Sequence, residues 1–169
     1  ISGTVLEEKP VAVTKEAFLA VLDRFRGEIS QIPPMYSAIK VNGQKLYDLA
    51  RKGKEVERKP RNITIYRLEC LDFRENTASI LVHCSKGTYI RTLCKDIGEA
   101  LGCGGCMAAL RRVSAGSYTV EKAVPLAQLI ESPRPEAYLA GVDTLFFHSP
   151  AVTLTEKQEL RCRNGNPFS

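Results

Sequence analysis

The sequence is poor in several features that would define whole classes of protein. Its 169 residues include no tryptophan, two histidines and two methionines. No apolar run approaches the roughly 20 residues that a membrane-spanning helix needs, and no segment repeats or has low complexity. Together with the composition, these absences argue against membrane-spanning, collagen-like and coiled-coil proteins. We expect no membrane partner.

The composition that remains is typical of a globular domain. Hydrophobic residues make up 44% of the chain and charged residues 25%, close to the averages for soluble proteins. A domain of this length buries about 68–70% of the surface that its unfolded chain exposes. It can therefore form a hydrophobic core without a metal ion or a disulfide bond.

The six cysteines have the pattern of neither a disulfide framework nor a metal site. No secretory signal pattern stands at the start of the sequence, so we expect a cytoplasmic protein with reduced thiols. Cys103-Gly-Gly-Cys106 has the spacing of a zinc or redox pair, but zinc needs about two further ligands. His83 and His148 lie far away in the sequence. We expect no metal and no cofactor, and a redox or zinc role for the cysteine pair is kept as an alternative.

Positive charge is concentrated in one segment. The net charge is +5, from 24 Lys+Arg against 19 Asp+Glu. Residues 40–61 hold eight basic and three acidic residues, a difference of +5, so the rest of the chain sums to zero. Such a local excess is typical of a surface that binds nucleic acid. The alternative is that this segment is a solvent-exposed loop whose charges only keep it soluble.

Periodicity predicts helices and strands that alternate along the chain. Thr14 is suited to cap a helix over residues 15–26. Residues 62–73 and 77–85 have the alternation of two antiparallel strands joined by a turn. Thr88 can cap a second helix, which ends at a glycine.

Further predictions concern the connections. The prolines of residues 30–39 favour an extended, exposed path, and two helical turns are predicted over residues 45–52. A short helix is predicted over residues 107–111 and a strand over residues 112–120. The expected fold class is α+β, with a mixed, largely antiparallel sheet flanked by helices.

One strand–turn–helix concentrates groups that bind anions and bases. Cys84-Ser-Lys-Gly-Thr-Tyr-Ile-Arg-Thr-Leu93 places Lys86, Tyr89 and Arg91 at a helix start, where backbone N–H groups can meet an anion. A tyrosine ring can stack on a base, and an arginine can hold a carboxylate through two hydrogen bonds. The alternative is structural: Tyr89 packs, and Arg91 pairs with an acidic residue of its own helix.

Three segments together resemble the TruB family of tRNA pseudouridine synthases. They are the segment just described, Gln31-Ile-Pro-Pro-Met-Tyr-Ser-Ala-Ile-Lys40 and Leu110-Arg-Arg-Val-Ser-Ala-Gly116. The resemblance covers residues 1–148 and implies the C-terminal part of a pseudouridine synthase catalytic domain. Residues 149–169 resemble the start of a PUA domain, an RNA-binding module, which is truncated here.

The resemblance also implies roles for individual residues. The family isomerises the T-loop uridine of tRNA to pseudouridine without a cofactor, after flipping the base out of the RNA. Tyr89 matches a tyrosine that contacts the flipped uracil, Arg91 an arginine that pairs with the catalytic aspartate, and Leu110 an apolar residue of the base pocket. Tyr89 and Arg91 are thus the catalytic candidates, and Tyr89 and Leu110 the substrate-binding ones.

Residues 31–60 correspond to the thumb loop of the family, which closes over the T-arm of tRNA. The basic residues of this loop, with one lysine near the predicted helix start, are therefore the expected RNA contacts. They are Lys40, Lys45, Arg51, Lys52, Lys54, Arg58, Lys59 and Lys86.

One part of the family pattern is absent from the sequence. The catalytic aspartate of the family lies in a Gly-His-Thr-Gly-Thr-Leu-Asp-Pro-like run, which does not occur in these 169 residues. We therefore expect a fragment of a longer enzyme, a monomer that is inactive alone. A non-catalytic RNA-binding module is kept as the alternative function.

Overall fold

The computed structural model describes residues 7–167, which divide into two compact units between Leu110 and Arg111. The α+β class and the antiparallel pairing of the strands are confirmed. The domain boundary at residues 148/149 and the PUA assignment of residues 149–169 stay predictions. No helix within residues 7–167 is long and apolar enough to cross a membrane.

Within residues 7–110, the first unit combines a three-stranded antiparallel sheet, a small hairpin and three helices. In chain order its elements are α1 (Lys15–Asp23), β1 (Gly27–Gln31), β2 (Lys40–Val41), β3 (Gln44–Lys45), α2 (Leu46–Arg51), β4 (Arg61–Arg74), β5 (Thr77–Cys84) and α3 (Ile90–Ala100). The sheet has the order β1–β4–β5, and β2 pairs with β3 in the hairpin. The predicted pair of long strands and the two helical turns of α2 are confirmed.

The core of this unit lies between one face of the sheet and the helices α1 and α3. Its buried residues are Phe18, Leu22, Ile63, Ile65, Leu68, Leu93 and Ile97. Alternate residues of β5 (Ala78, Ile80, Val82 and Cys84) pack against this cluster, as their period of two predicts. Each fully buried leucine stabilises the fold by roughly 1.5–3 kcal/mol.

Helix α1 begins where the sequence predicts and ends earlier. Thr14 is the N-cap, and its Oγ1 accepts a hydrogen bond from the Ala17 N–H at 3.2 Å. The helix ends at Asp23 because the chain turns there into β1, which starts at Gly27 with a φ of +81°. Glycine adopts this left-handed conformation without strain.

The second unit consists of short elements and has no buried residue within residues 111–167. Its strands and α-helices are β6 (Ser114–Ala115), β7 (Tyr118–Thr119), α4 (Leu126–Glu131) and α5 (Glu156–Arg163), and short 3-10 helices lie at Val120–Lys122, Pro135–Tyr138 and Val142–Phe146. The strand predicted over residues 112–120 is instead a hairpin that turns at Gly116 (φ +60°). The helix predicted over residues 107–111 does not form.

Candidate RNA-binding and catalytic site

The residue just before helix α3 is one that the resemblance places in the catalytic site. Tyr89 is its N-cap, in an extended conformation, and the Tyr89 side chain makes no capping hydrogen bond. The prediction that Thr88 caps this helix is wrong. The Thr88 hydroxyl donates to the Ser85 carbonyl at 2.8 Å, so it closes the turn at Gly87 and does not serve the helix.

A buried glutamine fixes the backbone of Tyr89. Gln31, the last residue of β1, is 1% exposed. Its Nε2 donates to the Tyr89 carbonyl at 3.3 Å, and its Oε1 accepts from the Tyr89 N–H at 3.1 Å. The amide therefore binds both main-chain groups of one residue, including an N–H that a helix start leaves without an intrahelical partner. This places Tyr89 firmly between β1 and α3.

The segment after β1 is less exposed than its prolines suggest. Gln31, Pro33 and Ser37 are buried, so the prediction of an exposed path is wrong at these positions. Gln31 turns inward to Tyr89, and the Ser37 carbonyl accepts from the Tyr47 N–H of α2 at 3.1 Å. Sequence reasoning did not single out Gln31, because its partner lies 58 residues away.

Arg91 lies exposed in the first turn of α3. Its Nη2 donates to the Tyr36 carbonyl at 2.8 Å. The structural alternative, in which Arg91 pairs within its helix, is not seen in the part of the chain that the structure describes: Glu99 pairs with Lys95 at 3.1 Å. A guanidinium has five N–H donors, so Arg91 retains donors for an anionic partner.

Leu110 is 62% exposed and is the last residue of the first unit. Tyr89 is half-buried. The structure thus joins Tyr89 to Gln31 and Arg91 to Tyr36, but it does not bury Leu110. Single exposed leucines are ordinary on protein surfaces, so the exposure of Leu110 does not by itself indicate a base pocket. The roles of Tyr89, Arg91 and Leu110 toward a base stay predictions.

Half of the residues predicted to bind RNA line one surface cavity of about 510 Å³. The cavity is formed by the β2–β3 hairpin and α2, which is held by the buried Leu46 and Leu49. Its lining residues are Lys40, Gly43, Gln44, Lys45, Asp48, Arg51 and Lys52. Four cations around one carboxylate give it a net positive charge, which attracts anions.

Tyr47 orients two of these cations. Lys45 Nζ donates to the Tyr47 hydroxyl at 2.9 Å and lies 5.3 Å from the ring centre. The Arg51 guanidinium carbon lies 5.4 Å from the same centre, within the range of a cation–π contact. The hydrogen bond with Tyr47 raises the pKa of Lys45 above its ordinary value. One aromatic ring therefore positions two positive charges beside the cavity.

Arg58 differs from the other residues predicted to bind RNA. It is half-buried, and it donates to the Pro33 carbonyl at 3.3 Å and to a Glu55 carboxylate oxygen at 2.8 Å. Its Nε is buried without a hydrogen-bond partner. Arg58 therefore ties the end of the thumb loop to its beginning. Lys54, Lys59 and Lys86 are exposed.

The cysteines are free thiols, and no metal-ligand cluster forms around them. All six are unpaired, and within residues 7–167 no three His, Cys, Asp or Glu side chains are placed to hold a metal ion. Zinc takes four ligands in structural sites. A zinc role for Cys103 and Cys106 therefore lacks a ligand set among the described residues.

Comparison with known proteins shows which family this chain belongs to. Residues 1–90 match the "TruB family pseudouridylate synthase (N terminal domain)", and residues 91–142 match the "tRNA pseudouridylate synthase B C-terminal domain". The chain belongs to the TruB family. The resemblance carried by the three sequence segments is thereby confirmed.

Relatives within the TruB family are closely similar in sequence. The tRNA pseudouridine synthase B of Pseudomonas syringae pv. syringae (strain B728a) is 57% identical over 171 residues, and that of Pseudomonas fluorescens (strain Pf0-1) is 49% identical over 172. Each match covers 98% of this chain and 56% of the relative. The chain thus spans about half the length of the curated relatives it matches.

Solved structures support the pseudouridine synthase fold. A chain in the crystal structure of a Cbf5–Nop10–Gar1 complex matches with a TM-score of 0.59 and 31% identity, over 72% of this chain and 32% of that one. A chain of an H/ACA RNP bound to a substrate RNA containing 2′-deoxyuridine matches with a TM-score of 0.53 and 27% identity, over 70% and 29%. The fold expected of the TruB family is therefore present in this chain.

Proposed function

We propose that this protein is a tRNA pseudouridine synthase, which isomerises the T-loop uridine of tRNA to pseudouridine after flipping the base out of the RNA. The observation that carries the proposal is that TruB family models match residues 1–142. Flipping is needed because the reacting atoms of a stacked base cannot be reached. The reaction needs no cofactor in this proposal.

The geometry at α3 supports a catalytic role for its first residues. Tyr89 contacts the flipped uracil, and Leu110 adds apolar surface to the base pocket. Gln31 holds the Tyr89 backbone through two hydrogen bonds, and such a fixed backbone lowers the entropic cost of orienting a reacting group. Arg91 has donors left to pair with the carboxylate of a catalytic aspartate.

The thumb loop is the proposed contact to the T-arm of tRNA. The cations around its surface cavity, together with Lys54, Arg58, Lys59 and Lys86, bind phosphates, and such contacts position an RNA without reading its sequence. Tyr47 keeps Lys45 and Arg51 at the cavity. We infer that the protein acts as a monomer in the cytoplasm, where its free thiols stay reduced.

A second candidate is RNA binding without catalysis. It is favoured by the absence of a Gly-His-Thr-Gly-Thr-Leu-Asp-Pro-like run from these 169 residues. A comparison of the 169-residue chain with the product of the native gene distinguishes the two candidate functions. We expect the 169-residue chain alone to bind tRNA and form no pseudouridine, whereas the product of the native gene does both.

The test uses tRNA labelled with tritium at uridine C5, because isomerisation releases this tritium. The product of the native gene is assayed as wild type, as Tyr89→Phe and as the control Tyr66→Phe, which removes a hydroxyl from an exposed residue of β4. We expect Tyr89→Phe to lower the rate by about 10²–10⁴-fold, the usual contribution of proton transfer, and the control to leave it unchanged. Tight tRNA binding without tritium release by the wild type would support the second candidate instead.

A further inference from the structure

The loop that follows α3 packs directly onto the backbone of that helix. A Cβ built on Gly98 would lie 2.2 Å from the carbonyl carbon of Gly104, and one built on Gly105 would lie 2.6 Å from the carbonyl oxygen of Cys94. The Gly104 N–H also donates to the Gly98 carbonyl at 2.9 Å. Only glycines permit so close an approach of two backbones.

This loop runs back along α3 toward the helix start. Gly104 meets Gly98, and the next residue, Gly105, meets both Gly98 and the Cys94 carbonyl. Cys94 and Gly98 are four residues apart and therefore share one face of the helix. Cys106 follows Gly105 at a Cα distance of about 3.8 Å. The loop thus places Cys106 beside the helix face that carries Cys94.

The two thiols also differ in exposure. Burial raises the pKa of Cys94, and the charge of the nearby Cys106 raises it further. Cys94 is half-buried, whereas Cys106 is exposed. Cys103, the other member of the Cys-Gly-Gly-Cys sequence, donates from Sγ to the Gly104 carbonyl at 3.4 Å. The packing of Gly105 on Cys94 and the effect of Cys106 on the Cys94 pKa both relate the loop thiol to the helix thiol.

We propose that Cys94 and Cys106 are a redox pair that closes to a disulfide bond when the protein meets hydrogen peroxide. The exposed Cys106 thiol reacts first, becoming a sulfenic acid as one water leaves. The Cys94 sulfur then attacks the Cys106 sulfur, and the S–S bond forms as the second water leaves. The two thiols lose two electrons, and the peroxide gains them. The bond ties α3, which begins beside Tyr89, to the loop that leads to Leu110.

The 169-residue chain itself serves for the test. It is treated with hydrogen peroxide, remaining thiols are alkylated, and the chain is digested with trypsin without reduction. Cleavage after Arg91, Lys95 and Arg111 separates Cys94, in residues 92–95, from Cys103 and Cys106, both in residues 96–111. We expect a linked pair of these two peptides in the wild type. The pair should persist in Cys103→Ser and disappear in Cys94→Ser and in Cys106→Ser.

Two controls keep the result specific to the fold. Oxidation in concentrated urea should lower the yield of the linked pair at least tenfold, because the helix and the loop no longer meet. Circular dichroism of each serine variant checks that it folds. A disulfide confined to residues 96–111, sulfonic acid without any link, or equal yields in urea and in buffer would overturn the proposal.

Discussion

The start of α3 and the basic part of the thumb loop, residues 40–59, are held in opposite ways. A buried side chain binds the Tyr89 backbone at both its N–H and its carbonyl, and α3 behind it contributes Leu93 and Ile97 to the core. Residues 40–59 bury only Leu46 and Leu49 and leave their lysines at the surface. The difference indicates that the first region supplies geometry and the second supplies charge. Substitutions should therefore alter stability in one region and RNA affinity in the other.

A substitution at Gly98 should destabilise the fold most, because the loop after α3 packs on the helix backbone at this residue. Alanine at Gly98 would place a Cβ 2.2 Å from the backbone of Gly104 and Gly105. We expect Gly98→Ala to lower the free energy of unfolding by about 3 kcal/mol, since backbone atoms cannot yield as a flexible side chain does. Urea unfolding of the 169-residue chain measures the change.

The neighbouring substitution Glu99→Ala is the matched control for Gly98→Ala. Glu99 is exposed and forms only a surface ion pair, so its loss should change stability by no more than about 0.5 kcal/mol. An alanine in a helix interior ordinarily stabilises it by about 1 kcal/mol over glycine. A stabilised Gly98→Ala variant would therefore show that the loop does not approach α3 as described.

The second prediction concerns the two hydrogen bonds between the Gln31 side chain and the Tyr89 backbone. Gln31→Leu keeps the size of the side chain but leaves the Tyr89 N–H and carbonyl without their partner. We expect the free energy of unfolding to fall by about 1–3 kcal/mol, the cost of unsatisfied buried polar groups. Gln44→Leu, at an exposed glutamine of β3, should change it by less than about 0.5 kcal/mol. If Gln31→Leu and Gln44→Leu lowered the free energy of unfolding equally, Gln31 would contribute no more to stability than an ordinary surface glutamine.

Local signals in the sequence were sufficient to predict the presence of the helices and of the two long strands of the first unit, whereas β1 and the β2–β3 hairpin were not predicted. The Thr14 cap, the two turns of α2 and the alternation along β5 depend on residues close together in the chain, and the structure confirms them. The helix predicted over residues 107–111 does not form, because so short a helix depends on packing and residues 108–111 are all exposed. The preceding loop is instead fixed by its packing on α3.

The contacts that organise the candidate site join distant parts of the chain. Gln31 and Tyr89 are 58 residues apart, and Arg91 and Tyr36 are 55 apart. No periodicity reports such a pairing, and the two prolines that follow Gln31 and Ile32 favour an exposed path. The family resemblance supplied candidate site residues, whose roles stay predictions, but not the contacts that hold them. That information came from burial and hydrogen bonding.

The third prediction tests the thumb loop as a source of charge. Glutamine replaces four basic residues together: Lys45, Arg51, Lys52 and Lys54. Each lost phosphate contact should lower the slope of log affinity against log salt by about 0.7–0.9, while the free energy of unfolding stays within about 1 kcal/mol of the wild type because these side chains lie outside the core. Salt titrations of tRNA binding by the 169-residue chain measure the slope.

A matched variant controls for net charge alone. It replaces three lysines and one arginine that are exposed outside the thumb loop: Lys9, Lys15, Arg24 and Lys95. Its salt slope should remain that of the wild type. If the two quadruple variants gave equal slopes, the charges of the thumb loop would be a solvated surface and not an RNA contact.

The smallest effect is expected at Asp96, a half-buried carboxyl of α3. Burial raises its pKa above the ordinary 3.8, while Lys95 opposes and Glu99 adds to the rise. A raised pKa means that the folded chain holds this proton more tightly than the unfolded chain does. Stability from this group is therefore present below pH 3.8 and is lost as the pH rises through the folded pKa.

Asp96→Asn should remove this pH dependence. Relative to the wild type, the variant should gain stability between pH 3 and pH 7, by less than about 1 kcal/mol because water screens a half-exposed carboxyl. Urea unfolding at both pH values measures the gain, and Asp143→Asn, at an exposed aspartate of the second unit, reports the loss of an ordinary surface charge. A relative loss of stability by Asp96→Asn at pH 7 would mean that the carboxylate is stabilised by a partner, and α3 would then depend on charge as the thumb loop does.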